Sequence, residues 1–332
     1  MKIVKNDKVN KFEWKELTDK TAFLSPFQTE SFYNFYNSIS NYSAEVFAVE
    51  ENNKIISLVV ITIQKEKGVK AFFSKRGIIY GGPLIANDNE GSLIFLMDKV
   101  INYYKKKLIY IEIRNFFNYS QFYSKFKSKK WIFIPYLNYT LNIENKTLPE
   151  VLSLMKYNRR REIKLSLERN SSYKECETEE ELIDLYNILK SLYVAKVKLP
   201  IPNFDFFKGI WNSSIGKVFV VIHEGRVIGG SFCIYVNGHS IYTMYYCGLR
   251  EYDKKIFPTH LAVLAAIDYA INNNCKILDF MGAGLKGEEY GVRSYKHEFG
   301  GVLNEFGRYR IILKPFLFKV GLTGLELLKK LK

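Results

Sequence analysis

The chain has 332 residues, enough for two ordinary domains. Hydrophobic residues make up 47% and charged residues 25%, a globular balance that excludes a disordered or collagen-like chain. The formal charge of +15 has two readings: an anionic partner, or a Lys-, Asn-, Ile- and Tyr-rich composition that selects none.

Met1 to Lys20 mixes charges with isolated apolar residues and lacks a signal-peptide core, so a cytoplasmic location is expected. No apolar run nears the roughly 20 residues needed to span a bilayer. Cys176, Cys233, Cys247 and Cys275 form no CxxC pair and no ligand spacing with His, so neither a disulfide framework nor a metal site is expected.

Going along the chain, Val46-Phe47-Ala48-Val49, a polar Glu51-Asn52-Asn53-Lys54 turn and Ile55-Ile56 read as a β-hairpin. A further strand is expected over Ala71 to Tyr80, then a helix over Gly91 to Lys107 and a strand over Leu108 to Ile113. The same order returns 172 positions on, from Val218-Phe219-Val220-Val221 and the Glu224-Gly225 turn. It continues through a strand at Ser240 to Tyr246, a helix at Thr259 to Asn274 and a strand at Lys276 to Phe280. One hairpin match is weak, but five elements in the same order indicate duplication. The expected fold class is α+β, two tandem units of mixed, mostly antiparallel sheet flanked by helices.

Between the repeats, Pro149 to Glu168 reads as one helix opened by Thr147 and Pro149, and Thr178 to Tyr193 as another with Glu179, Glu180 and Glu181 in its first turn. The connector Lys198-Leu199-Pro200-Ile201-Pro202-Asn203 reads as extended. The domains are therefore placed at 1–145 and 146–310, with 311–332 packing back on the first. That tail is basic and amphipathic, and residues 314–332 are an alternative candidate for peripheral contact with an anionic membrane.

This plan resembles that of the GNAT superfamily, and the residues narrow the resemblance. Ile277-Leu278-Asp279-Phe280-Met281-Gly282 followed by Ser294-Tyr295-Lys296-His297-Glu298-Phe299 resembles the second domain of the Fem-type aminoacyltransferases, with its D-[LF]-x-G element and aromatic-Lys-x-x-Phe. Phe27-Gln28 with Phe32, Gly81-Gly82-Pro83 and the basic Tyr157 to Lys164 segment resemble further family elements. No heptad segment long enough for the family's coiled-coil arm is present, so the resemblance is to its short members. A family arginine expected near Pro200 to Phe207 is missing, and Lys196 and Lys198 are the nearest basic groups.

The resemblance implies acyl transfer to an amine through a tetrahedral oxyanion, for which one placed donor contributes about 3–4 kcal/mol. It makes Lys296 the candidate oxyanion donor and Tyr245 a candidate hydrogen-bond donor to the reacting carbonyl. Asp279 and Glu298 are candidate general bases; adjacent His297 points elsewhere. Gln28, Arg160, Lys196 and Lys198 are candidate substrate contacts; Arg159, Arg160 and Arg161 cannot all face one ligand.

The segment Asp253 to Thr259 lacks the glycine-rich loop that cradles the pyrophosphate of acyl-CoA, which favours aminoacyl-tRNA as co-substrate, with no bound cofactor and no metal. The expected acceptor is an amine of a nucleotide- or lipid-linked muropeptide. Two readings compete: acetyl-CoA-dependent N-acetylation of a cell-envelope polysaccharide sugar, and a non-catalytic tandem domain that binds an anionic partner.

Overall fold

The computed structural model describes residues 1–66, 73–87 and 89–330, with side chains in the last helix as far as Gly324. It divides into two compact units, Met1–Tyr136 with Glu305–Lys332, and Leu137–Asn304.

The first unit contains β1 (Lys2–Lys5), α1 (Lys11–Lys20), α2 (Glu30–Ser38), β2 (Ser43–Glu51), β3 (Lys54–Gln64), β4 (Arg76–Gly81), β5 (Leu84–Ile85), α3 (Glu90–Tyr104), β6 (Tyr110–Asn115), α4 (Tyr123–Ser128) and β7 (Ile132–Ile134). The expected strand over Ala71 to Tyr80 begins on residues 71 and 72, which lie outside the described residues. The sheet runs β1-β2-β3-β4-β6, with β5 on β3. It is completed by a strand from the chain's end, Arg308–Ile312, which pairs with both β6 and β7. The final helix, Pro315–Lys330, follows it, and its Phe318 meets Tyr110 edge-on. The segment from Glu305 onward thus belongs to the first unit, earlier than residue 311. Phe316 on this helix is exposed; the side chains from Leu325 to Lys332, part of the amphipathic reading, lie outside those described.

The second unit contains β8 (Tyr136–Asn142), α5 (Leu148–Leu154), α6 (Tyr157–Glu168), β9 (Ser172–Glu175), α7 (Glu179–Leu192), α8 (Phe204–Asn212), β10 (Gly216–His223), β11 (Arg226–Val236), β12 (Ser240–Gly248), α9 (Pro258–Asn272), β13 (Ile277–Leu285), α10 (Gly291–His297) and β14 (Val302–Asn304). The remaining first-unit elements are β15 (Arg308–Ile312) and α11 (Pro315–Lys330). The sheet order is β14-β8-β13-β12-β11-β10-β9. The single helix expected over Pro149 to Glu168 is two, because Met155 and Lys156 are both extended and end one helix before the next begins. Thr147 and Glu150 form a capping box at the start of α5.

The repeat holds at the level of pairing. Both hairpins turn on two residues with positive φ, Asn52 and Asn53 in one, Glu224 and Gly225 in the other. Both carry a register shift at the same place, Val49/Glu50 and Val221/Ile222. In each unit a strand preceding the long helix (α3 or α9) and the strand after it run parallel, β4 with β6 and β12 with β13, the short β5 intervening before α3. These parallel pairs differ in extent. In the first unit the ladder spans Arg76–Gly81 and Tyr110–Asn115 throughout. In the second it covers Ser240–Tyr242 and Ile277–Asp279, and both strands then continue, to Gly248 and Leu285.

The cores are apolar and the four cysteines belong to that of the second unit; all are buried and free. Burial pushes the thiols of Cys176 and Cys233 up to about 12 and raises Cys247 and Cys275 as well. Gly81 and Gly82 have φ of +81° and +87°, a left-handed pair that L residues with side chains rarely adopt. A Cβ on Gly82 would lie 2.6 Å from the Tyr119 ring, whose hydroxyl donates to Pro83 O at 2.8 Å.

Gln28 is fully buried. Its Oε1 accepts from Val60 N at 2.7 Å, and its Nε2 donates to Tyr80 O at 2.8 Å and Val60 O at 3.2 Å. The amide thus ties β3 to β4. Replacing it with Leu fills the volume but orphans the Val60 N–H, so Gln28→Leu is expected to lower unfolding free energy by about 1–3 kcal/mol in urea titrations. A loss under a few tenths would show that Val60 finds another acceptor.

Candidate functional site

Asp279, one of the second unit's candidate residues, stands where β12 and β13 cease to pair. Thr243 Oγ1 donates to Asp279 O at 3.4 Å at this point. The β11–β12 ladder shifts register between Phe232 and Cys233, whose partners are Tyr245 and Thr243. Met244, Tyr245 and Tyr246 are half-buried, between the buried ends of the strand. Tyr245 packs edge-on against Phe207, with Tyr193 nearby.

On β13, Asp279 is buried and its Oδ1 accepts from Met281 N at 2.5 Å. This bond closes a turn in which Met281 takes φ +63°, a left-handed conformation. The turn brings three successive carbonyls to one side chain. The Lys296 ammonium, itself buried, donates to Phe280 O, to Gly282 O at 2.7 Å and to Met281 O at a longer 3.4 Å.

Burial sets the electrostatics of this pair. It raises the Asp279 carboxyl to about 7, against the Met281 N–H and the Lys296 charge. Burial likewise lowers Lys296 to about 8, against the pull of Asp279.

Arg293, three residues before Lys296 on α10, extends the clamp. Its Nε donates to Ala283 O at 2.9 Å, its Nη1 to Glu288 O at 2.9 Å and its Nη2 to Leu285 O at 2.5 Å. The i,i+3 spacing of two cations on one helix was the sequence signal for this shared face, and the motif reading passed over it. Arg159, which the sequence offered with Arg160 and Arg161 as a ligand contact, instead anchors the same helix. It is buried, lies 4.5 Å and 4.6 Å from the Tyr295 and Phe299 ring centres, and donates from Nη2 to Glu298 Oε2 at 2.6 Å. Beside it, His260 is pushed down to about 3 by burial and the Arg159 charge, and contacts Glu162 at 3.1 Å.

The other sequence candidates lie apart from the Asp279–Lys296 pair or bear different partners. Glu298 is engaged by Arg159 and borders a cavity of about 570 Å³ with Tyr139, Lys156, Asn158 and His297. Arg160 donates from Nη1 to Ser153 O at 2.8 Å. Lys196 and Lys198 are exposed at the end of α7, where a π turn spans Tyr193–Val197 and Lys198 takes φ +55°. Gln28 is enclosed in the first unit. No group of three His, Cys, Asp or Glu arranged to hold a metal occurs among the described residues. Nor is any helix among them long and apolar enough to cross a membrane.

The pair makes stability depend on pH with two opposite slopes. Between pH 3.8 and 7 the folded chain keeps an Asp279 proton that the unfolded chain has lost, so stability from this group falls as pH rises. Between about 8 and 10.5 the unfolded chain holds a Lys296 proton that the folded chain has shed, so stability rises with pH. In urea unfolding at a series of pH values, Asp279→Asn is expected to flatten the acid-side fall and Lys296→Met the alkaline rise. Slopes identical to the parent chain would mean that both groups stay charged in the fold.

No family model matches the chain, and no curated protein sequence matches it. Among solved structures it is similar to FemX at 14% identity, over 96% of this chain and 99% of that one, with a TM-score of 0.75. It is similar to a tandem GNAT protein from the clavulanic acid biosynthesis pathway at 8% identity, over 94% and 99% of the two chains, with a TM-score of 0.59. The L-PGS of Bacillus licheniformis matches at 11% identity over 94% and 96%, with a TM-score of 0.58. At these identities the likeness speaks to fold, and the fold is that of FemX, a tandem GNAT fold.

Proposed function

We propose that the protein is an acyltransferase that moves an amino acid from aminoacyl-tRNA to an amine of a nucleotide- or lipid-linked muropeptide. The observation that carries the acyl-transfer reading is the buried Asp279–Lys296 pair beside the opened end of the β12–β13 pair. A carboxyl near 7 is matched to taking the proton that an amine sheds as it attacks at neutral pH. Of the Lys296 contacts, the 3.4 Å bond to Met281 O is the weakest. The N–H in that bond is the one that turns to the oxyanion.

In this mechanism the amine nitrogen bonds to the ester carbonyl carbon and its proton passes to Asp279. The carbonyl oxygen takes the charge facing Lys296, and collapse expels the tRNA ribose oxygen, which recovers the proton. Tyr245 donates to the same carbonyl.

Support for tRNA over acyl-CoA as donor comes from the start of α9. Pro258 has no N–H, and Phe257 N already donates to Ser166 Oγ at 2.9 Å. That helix start therefore has fewer amides to offer a pyrophosphate. The muropeptide acceptor rests on the resemblance of Asp279 to Phe299 to the Fem-type motif. The runner-up remains N-acetylation of an envelope sugar from acetyl-CoA.

The test is incubation with charged tRNA and, separately, with acetyl-CoA, each beside nucleotide-linked and lipid-linked muropeptides, reading new amides by mass spectrometry. An aminoacyl adduct is expected; consumption of acetyl-CoA alone would put the runner-up in its place. Lys296→Ala should cut turnover roughly 10²–10³-fold with little change in acceptor KM, since the charge it meets develops in the transition state. Lys296→Arg should rescue poorly, because a planar guanidinium presents its donors differently. Full turnover in a folded alanine variant would remove Lys296 from the chemistry.

A further inference from the structure

We propose that Arg114, Arg308 and Arg310, on one face of the first unit's sheet, bind a phosphate or diphosphate group of a small ligand. The three lie on neighbouring strands in fixed register: Arg308 is directly opposite Arg114, and Arg310 is opposite Glu112. Like charges directly opposite across a sheet are unfavourable. What holds them together here is Glu112, which is only 2% exposed. Its Oε1 accepts from Arg114 Nε at 3.0 Å and Arg308 Nη1 at 3.2 Å, and its Oε2 from Arg310 Nε at 2.9 Å.

One carboxylate facing three guanidiniums leaves two positive charges over, and each guanidinium carries five N–H donors against the few lone pairs Glu112 offers. The electrostatics record both pairing and excess: burial works to lower Arg114, yet Tyr80 and Glu112 raise it above its ordinary value. Burial works to raise Glu112, yet the three arginines bring it down to about 2. Arg308 is shifted below its ordinary value, by burial first and then by the charge of Arg114.

The cluster is built rather than merely charged. Arg308 stacks 3.4 Å from the Tyr136 ring centre, Arg114 lies 5.3 Å from that of Tyr80, and Arg310 lies 5.3 Å from Tyr110. Stacking occupies a guanidinium's flat face and leaves its in-plane N–H edge for oxyanions, the geometry that suits phosphate. The side chains are 30%, 19% and 27% exposed, which restrains them while leaving them reachable. A dianionic phosphate matches the residual charge. Glu112 is the resident counter-anion: it occupies part of each guanidinium's donor set and neutralises one of the three charges until a ligand anion takes its place.

This assignment does not depend on the acyl-transfer reading, and its test is binding alone. Isothermal titration with inorganic pyrophosphate at low ionic strength is expected to show binding to the full chain. Arg114→Gln and Arg308→Gln should each weaken it about tenfold or more, the loss of one charge-assisted bond. Glu112→Gln should instead tighten pyrophosphate and raise its thermal stabilisation of the chain, because the resident competitor is gone. An ion-pair network with no ligand would show the reverse: Glu112→Gln destabilised and unresponsive to pyrophosphate. A nucleoside diphosphate sugar and a lipid diphosphate in detergent micelles identify the source, since either one bound and lost in the arginine variants supports the site. Absence of pyrophosphate binding, equal binding by all variants, or arginine-dependent binding of an RNA oligonucleotide without pyrophosphate would overturn it.

Discussion

A lysine ammonium that folding takes out of water loses hydration worth several kcal/mol unless the protein replaces it. Around Lys296 the replacement consists of three backbone carbonyls and one buried carboxyl. Much of the second unit's local structure serves that replacement. The left-handed Met281 exists because Asp279 draws the Met281 N–H toward itself, and that turn is what aims three consecutive carbonyls the same way. Arg293 then does for residues 283–288 what Lys296 does for 280–282. A seven-residue helix with two cations therefore organises the whole C-terminal half of β13 and the loop after it. Arg159, held between two rings of α10 and its extension, in turn fixes the helix.

The two units carry the same plan with different uses of it. In the first, the parallel pair is zipped over six residues, and Arg114 of β6 gathers with Arg308 and Arg310 of the antiparallel β15 on Glu112. In the second, the ladder stops after three residues, and the buried charges gather beside the stop. The contrast follows from sequence: β6 continues as Ile111-Glu112-Ile113-Arg114, a regular alternation that keeps to a strand. β13 runs instead into Met281-Gly282-Ala283-Gly284, with φ positive at Met281 and Gly284.

The hairpins, the long helices and the strands that follow them were legible because each has a strong local signal: two-residue polar turns, apolar periodicity, alternation. Gln28, Arg159 and Arg293 show the limit of that reading. Nothing in Phe27-Gln28 distinguishes a ligand-facing amide from one that joins β3 to β4, since the partners are 32 and 52 residues away. In Arg159-Arg160-Arg161 the middle residue drew attention, while burial between Tyr295 and Phe299 belongs to the first. The break at Met155-Lys156 was invisible because neither residue opposes helix; the following helix start, with Lys156 N bonded to Glu298 O, imposes it. The Arg114–Arg308 face joins strands nearly 200 positions apart, and only the return of the chain's end to the first sheet brings them together.

The distribution of thiols has a practical corollary. All four cysteines lie in the second unit, buried and held protonated by their apolar surroundings. Thiolate is the reactive form, so the native chain should be nearly silent to alkylating reagents. Each labelling event then marks an opening of the second unit, while openings of the first leave no trace. The unmodified protein thereby carries its own reporter for the breathing of one half, read residue by residue at four buried positions.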